Sequence, residues 1–114
     1  MPACQLPPDG LDLAHLDRQT AGDLALAREL LALFEGQCLR LLPLISGDAE
    51  PQARAEAAHT LRGAASAVGA ARVADITGRI EAGPPPDELL ALTAALAHAV
   101  AGVRAAIRLR LASG

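Results

Sequence analysis

The sequence predicts an all-α protein, an antiparallel up-and-down four-helix bundle with a short N-terminal lid helix. Three observations carry that prediction. Apolar residues make up 52% of the chain and aromatics only 1%, so the core has to be aliphatic. Leucine and alanine, both strong helix formers, are abundant, while the β-branched and aromatic residues that favour strands are scarce. Four long stretches repeat apolar residues every three or four positions, the period of one helix face. At 114 residues the chain fits one domain, large enough to bury a core without staples.

The elements follow in order. Residues 1–10, with three prolines and a glycine, read as an irregular arm, and the bundle domain occupies 11–111. A short helix is expected over 11–19, with Asp12 near its start and Leu13 and Leu16 inward. Thr20, Ala21 and Gly22 break it, and Asp23 offers an N-cap side chain to the next helix. That second helix spans 24–45 on the stripe Ala27, Leu30, Leu31, Phe34, Cys38, Leu41 and Ile45. Pro43 should kink it or loosen its last turn, because a proline removes one donor and clashes one turn back.

Asp48 is the expected cap of the third helix, with Glu50 and Pro51 in its first turn. Gly69 is expected to end it in the left-handed conformation. A fourth helix over 71–82 buries Val73, Ile76 and Ile80 and exposes Asp75 and Arg79 as an i,i+4 pair. Residues 83–86, Gly-Pro-Pro-Pro, read as a non-helical connector. The fifth helix opens on Asp87 and Glu88 and closes on Arg104, Arg108 and Arg110, which suits the macrodipole at both ends. Its stripe is Leu89, Leu92, Leu96, Val100, Val103, Ile107 and Leu111. Short turns between long amphipathic helices imply the up-and-down bundle.

Charge and cysteine content exclude several functions. The net charge of −3 argues against a nucleic-acid partner. All ten basic residues are arginine. Cys4 and Cys38 have no metal-ligand spacing and are expected to be free thiols. The N-terminus lacks the basic and apolar regions of a signal peptide. No stretch of about 18 apolar residues is free of charge, so no membrane span is expected and the protein is placed in the cytoplasm. No glycine-rich phosphate loop points to a nucleotide site.

The run AHTLRGAASAVGA, residues 58–70, asks for a further explanation. His59, Arg62, Gly63 and Ser66 fall at i, i+3, i+4 and i+7 and share one helix face. Ala57, Ala58, Leu61, Ala64, Ala65 and Val68 form the opposite, core-facing side. A glycine inside a helix costs about 1 kcal/mol against alanine, so Gly63 needs a reason. Access to the neighbouring ring supplies one. A neutral imidazole nitrogen is a nucleophile near pH 7 and can carry a phosphoryl group, whose charge an adjacent guanidinium can offset. Glu56, Asp75 and Glu81 read as solvated helix charges. His15 and His98 lack the i,i+3 or i,i+4 spacing of a metal pair, so no metal site is expected.

This run, followed by Arg79-Ile80-Glu81, resembles the histidine phosphotransfer (HPt) family of bacterial phosphorelays. The family signature reads approximately A-H-x-L-K-G-x-x-x-x-x-G-A, with L-E at the end of the next helix. Upstream, Gly22-Asp23, Glu29-Leu30-Leu31, Phe34 and Gly47-Asp48 match further landmarks in order, and the resemblance covers about 11–111. It implies the same four-helix bundle, with His59 as phosphoacceptor, Arg62 where the family usually has lysine, and Gly63 as the access glycine beside Ser66. Arginine keeps the charge but presents a planar fork in place of a point cation.

The partners implied are response-regulator receiver domains and a sensor histidine kinase, with Mg2+ supplied by the receiver and no cofactor of the chain's own. The protein is then a phosphocarrier and not an enzyme. Two alternatives stand beside it: a non-transferring helical adaptor, and the phosphoacceptor piece of a larger histidine kinase. Leu26, Leu33 and Leu44 give the second helix only a partial outer apolar stripe, so a monomer is expected.

Overall fold

The computed structural model describes residues 11–113; the expected arm at 1–10 and Cys4 lie outside them. The described residues form five helices and no strand: α1 (Leu13–Gln19), α2 (Leu24–Ser46), α3 (Pro51–Val68), α4 (Ala71–Glu81) and α5 (Pro86–Ser113). α2 packs on α3, α3 on α4, α4 on α5, and α5 back on α2. α3 and α5 therefore lie diagonally opposite each other.

The core is aliphatic, as the composition requires. Leu31, Phe34, Cys38, Leu41 and Ile45 from α2 meet Ala58, Leu61, Ala65 and Val68 from α3. Val73, Ile76 and Ile80 from α4 and Leu96, Val100, Val103 and Ile107 from α5 complete it. Leu89, Leu92 and Leu111, expected inside, are only partly buried at its edge, as are Ala27, Leu30 and Ala64. Pro86–Ala112 is long and apolar enough to cross a membrane, with a mean hydropathy of 1.7. The expectation that charge rules out any such run is thus too strict. Here α5 supplies side chains to the core, which accounts for part of that apolarity.

Three local expectations are corrected. α1 begins at Leu13, with Asp12 as its N-cap accepting from the His15 amide at 3.0 Å. Leu16 faces inward as expected. Leu11 is buried ahead of the helix, but Leu13 is left exposed. α3 is not capped by Asp48. Pro51 takes the first helical position, so the cap falls on Glu50, which makes no side-chain cap bond. Pro86 is not part of a non-helical connector but opens α5, where its missing donor has no intrahelical acceptor to miss. Pro43 is carried inside α2, which runs on to Ser46.

Gly69 ends α3 as expected, at φ 81°, and its left-handed turn sends the Ala70 amide back to Ala65 O at 2.8 Å. A side chain there would also strike α1, because a Cβ would lie 2.8 Å from Asp12 O. α1 in turn closes the C-terminal end of α3. The Asp12 amide donates to Gly69 O at 2.9 Å, and the His15 ring Nε2 lies 2.9 Å from Ser66 O. Gly69 O is satisfied in this way, and Ser66 O, which also accepts from the Gly69 amide at 3.4 Å, gains a second partner.

Candidate functional site

α3 fixes the site through its two-sided pattern. Burying Ala57, Ala58, Leu61, Ala65 and Val68 turns His59, Arg62, Gly63 and Ser66 outward, and all four are exposed. A Cβ on Gly63 would meet nothing within 4 Å, so the surface beside the ring is open. Ser66 offers its carbonyl to His15, at the far end of this face from His59. His98 is exposed on α5, and no group of three metal-ligating side chains is gathered among the described residues.

The structure adds a residue that was read as a solvated charge. Glu81, the last residue of α4, reaches across to α3 and meets both His59 and Arg62. Its Oε2 lies 2.8 Å from His59 Nδ1, while its Oε1 lies 3.3 Å from Arg62 Nε. A carboxylate only accepts, so the short contact puts the ring proton on Nδ1. Arg62 Nη2 also lies 3.4 Å from Nδ1, but a protonated Nδ1 has no lone pair to offer it. The shorter contact decides, and Nε2 on the other side of the ring keeps its lone pair.

Arg62 is held less firmly. Its Nε faces Glu81 Oε1 as an ion pair, yet that oxygen is shielded from solvent and takes no hydrogen bond. With the Arg62 side chain 45% exposed, the ion pair is weak and does not lock the guanidinium in place. Its stem crosses to α4 over Gly78, where a Cβ would stand 3.4 Å from Arg62 Cδ. Gly78 escaped the sequence reading, and the contact of Glu81 with the ring was missed. The glycine had a signal, the same helix-interior cost that drew attention to Gly63. Glu81 had one too, as the closing residue of the motif. Asp75 and Arg79 form the exposed pair expected of them, at 3.5 Å.

A helical domain thus presents one ring nitrogen outward, with a carboxylate behind the ring and a guanidinium beside it. The family model for the Hpt domain matches residues 23–106, and the chain belongs to that family. Hpt domains are phosphocarriers of phosphorelay signalling that interact with receiver domains and histidine kinases. Nothing among curated proteins or solved structures matches the chain.

Proposed function

We propose that this chain is a cytoplasmic phosphorelay intermediate in which His59 takes a phosphoryl group from the phosphoaspartate of one receiver domain and passes it to another. The observation that carries this is the 2.8 Å contact of Nδ1 with Glu81 on a ring whose side chain is 63% exposed. On this reading α2 to α5 form an antiparallel up-and-down bundle with α1 as its lid. That bundle holds α3 as a rigid platform.

The Nε2 lone pair attacks phosphorus in line. The N–P bond forms as the P–O bond to the aspartate breaks, and the electron pair returns to the aspartate carboxylate. The ring gains positive charge, which Glu81 behind it offsets. Arg62, held by an ion pair without a hydrogen bond, turns its fork toward the incoming oxygens. Gly63 and Ser66 belong to the surface on which the receiver sits, and Gly63 keeps that surface low beside the ring. The Mg2+ of the reaction is carried by the receiver. This chain contributes a nucleophile, a cation and a docking face, and positioning supplies most of the catalysis.

The test is incubation with phosphorylated receiver domains, following label over time. Acid-labile, base-stable phosphate on His59 is expected, and none in His59→Gln with its helical circular dichroism unchanged. Undiminished labelling of His59→Gln overturns the assignment. Binding to receivers with no transfer at all makes the protein an adaptor.

A further inference from the structure

A cavity of about 220 Å³ lies where α1, α2 and the last turn of α5 meet, and it shares no residue with the α3–α4 site. Leu16 and Leu31, both buried, form its floor. Leu13 and Leu24, 37% and 70% exposed, stand at its mouth. Its charged residues are Asp17, Arg28 and Arg110. Two guanidiniums against one carboxylate leave it net positive.

Arg110 stands where the core stripe of α5 calls for an apolar residue. It follows Val103 by seven positions and Ile107 by three, on the side that both turn inward. A cation at any point round the last turn answers the macrodipole, so the macrodipole does not account for this side. Arg110 makes no hydrogen bond or ion pair among the described residues. Arg28 donates Nη2 to Leu111 O at 2.7 Å, which holds its fork in place and leaves its remaining donors unused. Asp17 pairs with neither arginine. An anion is what this pocket lacks.

The floor and the rim together specify the occupant. Buried leucines accept an aliphatic chain, and guanidinium forks accept carboxylate oxygens in pairs. The volume falls below the roughly 300–1,000 Å³ of sites for drug-sized ligands, so the chain is short. We propose that the pocket binds a free medium-chain aliphatic carboxylate, with its tail on Leu16 and Leu31 and its head on Arg28 and Arg110. α1 forms one wall and also closes the end of α3 through Asp12 and His15, so an occupied pocket braces the lid. Binding is measured without phosphate and does not depend on the phosphotransfer reading.

Amide chemical-shift titration of the full chain with octanoate tests it. Saturable shifts confined to α1, the first turns of α2 and the end of α5 are expected, with a Kd of roughly 0.1–1 mM for so small a ligand. Hexanoate, two methylenes shorter, should bind about ten- to fifteenfold more weakly. Arg110→Ala removes no bond within the described residues, so its helical circular dichroism should be unchanged. It should bind octanoate about tenfold more weakly, whereas neutral 1-octanol should bind it and the parent alike. No saturation by about 20 mM octanoate, far above that Kd, overturns the site. So does an equal affinity for octanoate in Arg110→Ala. Three further outcomes overturn the free carboxylate as occupant. Octanoate binding that appears only in Leu6→Ser gives the pocket to this chain's own first residues. Sedimentation as a dimer that Arg110→Glu disperses gives it to a second copy. Indifference to octanoate with flotation on phosphatidylglycerol vesicles, lost in Arg110→Ala, gives it to a membrane surface.

Discussion

Two glutamates tie neighbouring helices together by the same construction. Glu81 on α4 receives His59 and Arg62, one turn apart on α3. Glu35 on α2 receives Arg104 and Arg108, one turn apart on α5, each through Nε at 3.2 Å. In the second cluster both cations carry a permanent charge and nothing is left to react. In the first, one cation is replaced by a ring whose second nitrogen faces away from the carboxylate. The surroundings differ in the same sense. Glycines at 63 and 78 clear space around the α3–α4 cluster, whereas Cys38, fully buried, lies one turn from Glu35. An ion-pair tie between helices is generic. Chemistry enters where one partner keeps an unused lone pair and its neighbours are trimmed.

The largest expected effect separates the two clusters outright. His59→Gln removes transfer entirely and should leave the unfolding midpoint close to that of the parent, because the side chain is mostly exposed. Glu35→Gln should do the opposite. It leaves two guanidiniums on a neutral acceptor, and stability should fall by about 1–2 kcal/mol, the range for charge-assisted bonds with partial exposure. Denaturant unfolding beside transfer kinetics makes the comparison. If Glu35→Gln slows transfer as His59→Gln does, the clusters are not independent.

Within the α3–α4 cluster the next effect is about a decade. Glu81→Gln keeps the shape but withdraws the charge that offsets the developing imidazolium. Transfer should slow by about tenfold, the equivalent of roughly 1.4 kcal/mol. Arg62→Ala should slow it by a similar factor, and Arg62→Lys should regain most of the loss, since the family resemblance has lysine at that position. Binding of an unphosphorylated receiver should change far less in all three. An equal loss of binding in Arg62→Ala would make the arginine a docking residue.

The polar and apolar faces of α3 were legible because a buried side and an exposed side differ at every position of a regular helix. His59, Arg62, Gly63 and Ser66 could therefore be grouped before any coordinates. Glu81 could not be joined to them by periodicity. Its contact crosses between helices, and a carboxylate at a helix end looks alike whether it meets water or a histidine. Leu13, expected inward beside Leu16, is exposed for a different reason: a helix as short as α1 shows too little period to fix how wide its buried face is. Asp48 lost the cap to Glu50 because Pro51 set where α3 begins.

A smaller effect probes the buried side of the comparison through pH. Burial pushes the Cys38 thiol from its ordinary 9.0 up to about 11, with Arg104 opposing and Glu35 adding to the rise. The unfolded thiol ionises first as pH increases, so the folded state's advantage is intact below about 9 and is lost toward about 11. In a Cys4→Ser background, native Cys38 should react with a maleimide at neutral pH far more slowly than in denaturant. Equal rates would mean that this end of the core opens freely.

The smallest effects concern the two glycines, and they test whether trimmed surroundings matter to the α3–α4 cluster. Gly63→Ala adds a methyl to open space and gains helix propensity, so stability should rise by up to about 1 kcal/mol with transfer unchanged. Gly78→Ala gains the same propensity, but its methyl comes to rest 3.4 Å from Arg62 Cδ, an ordinary contact that the stem can keep. The two alanine variants should therefore look alike in both assays. Larger side chains should part them. Gly63→Gln stands on the docking surface and should slow transfer by hindering receiver binding. Gly78→Gln should displace the Arg62 stem and slow transfer no further than Arg62→Ala does, with receiver binding kept. If Gly78→Gln also leaves transfer unchanged, the path of Arg62 over α4 has no bearing on its role, and the fork reaches the phosphoryl group by another route.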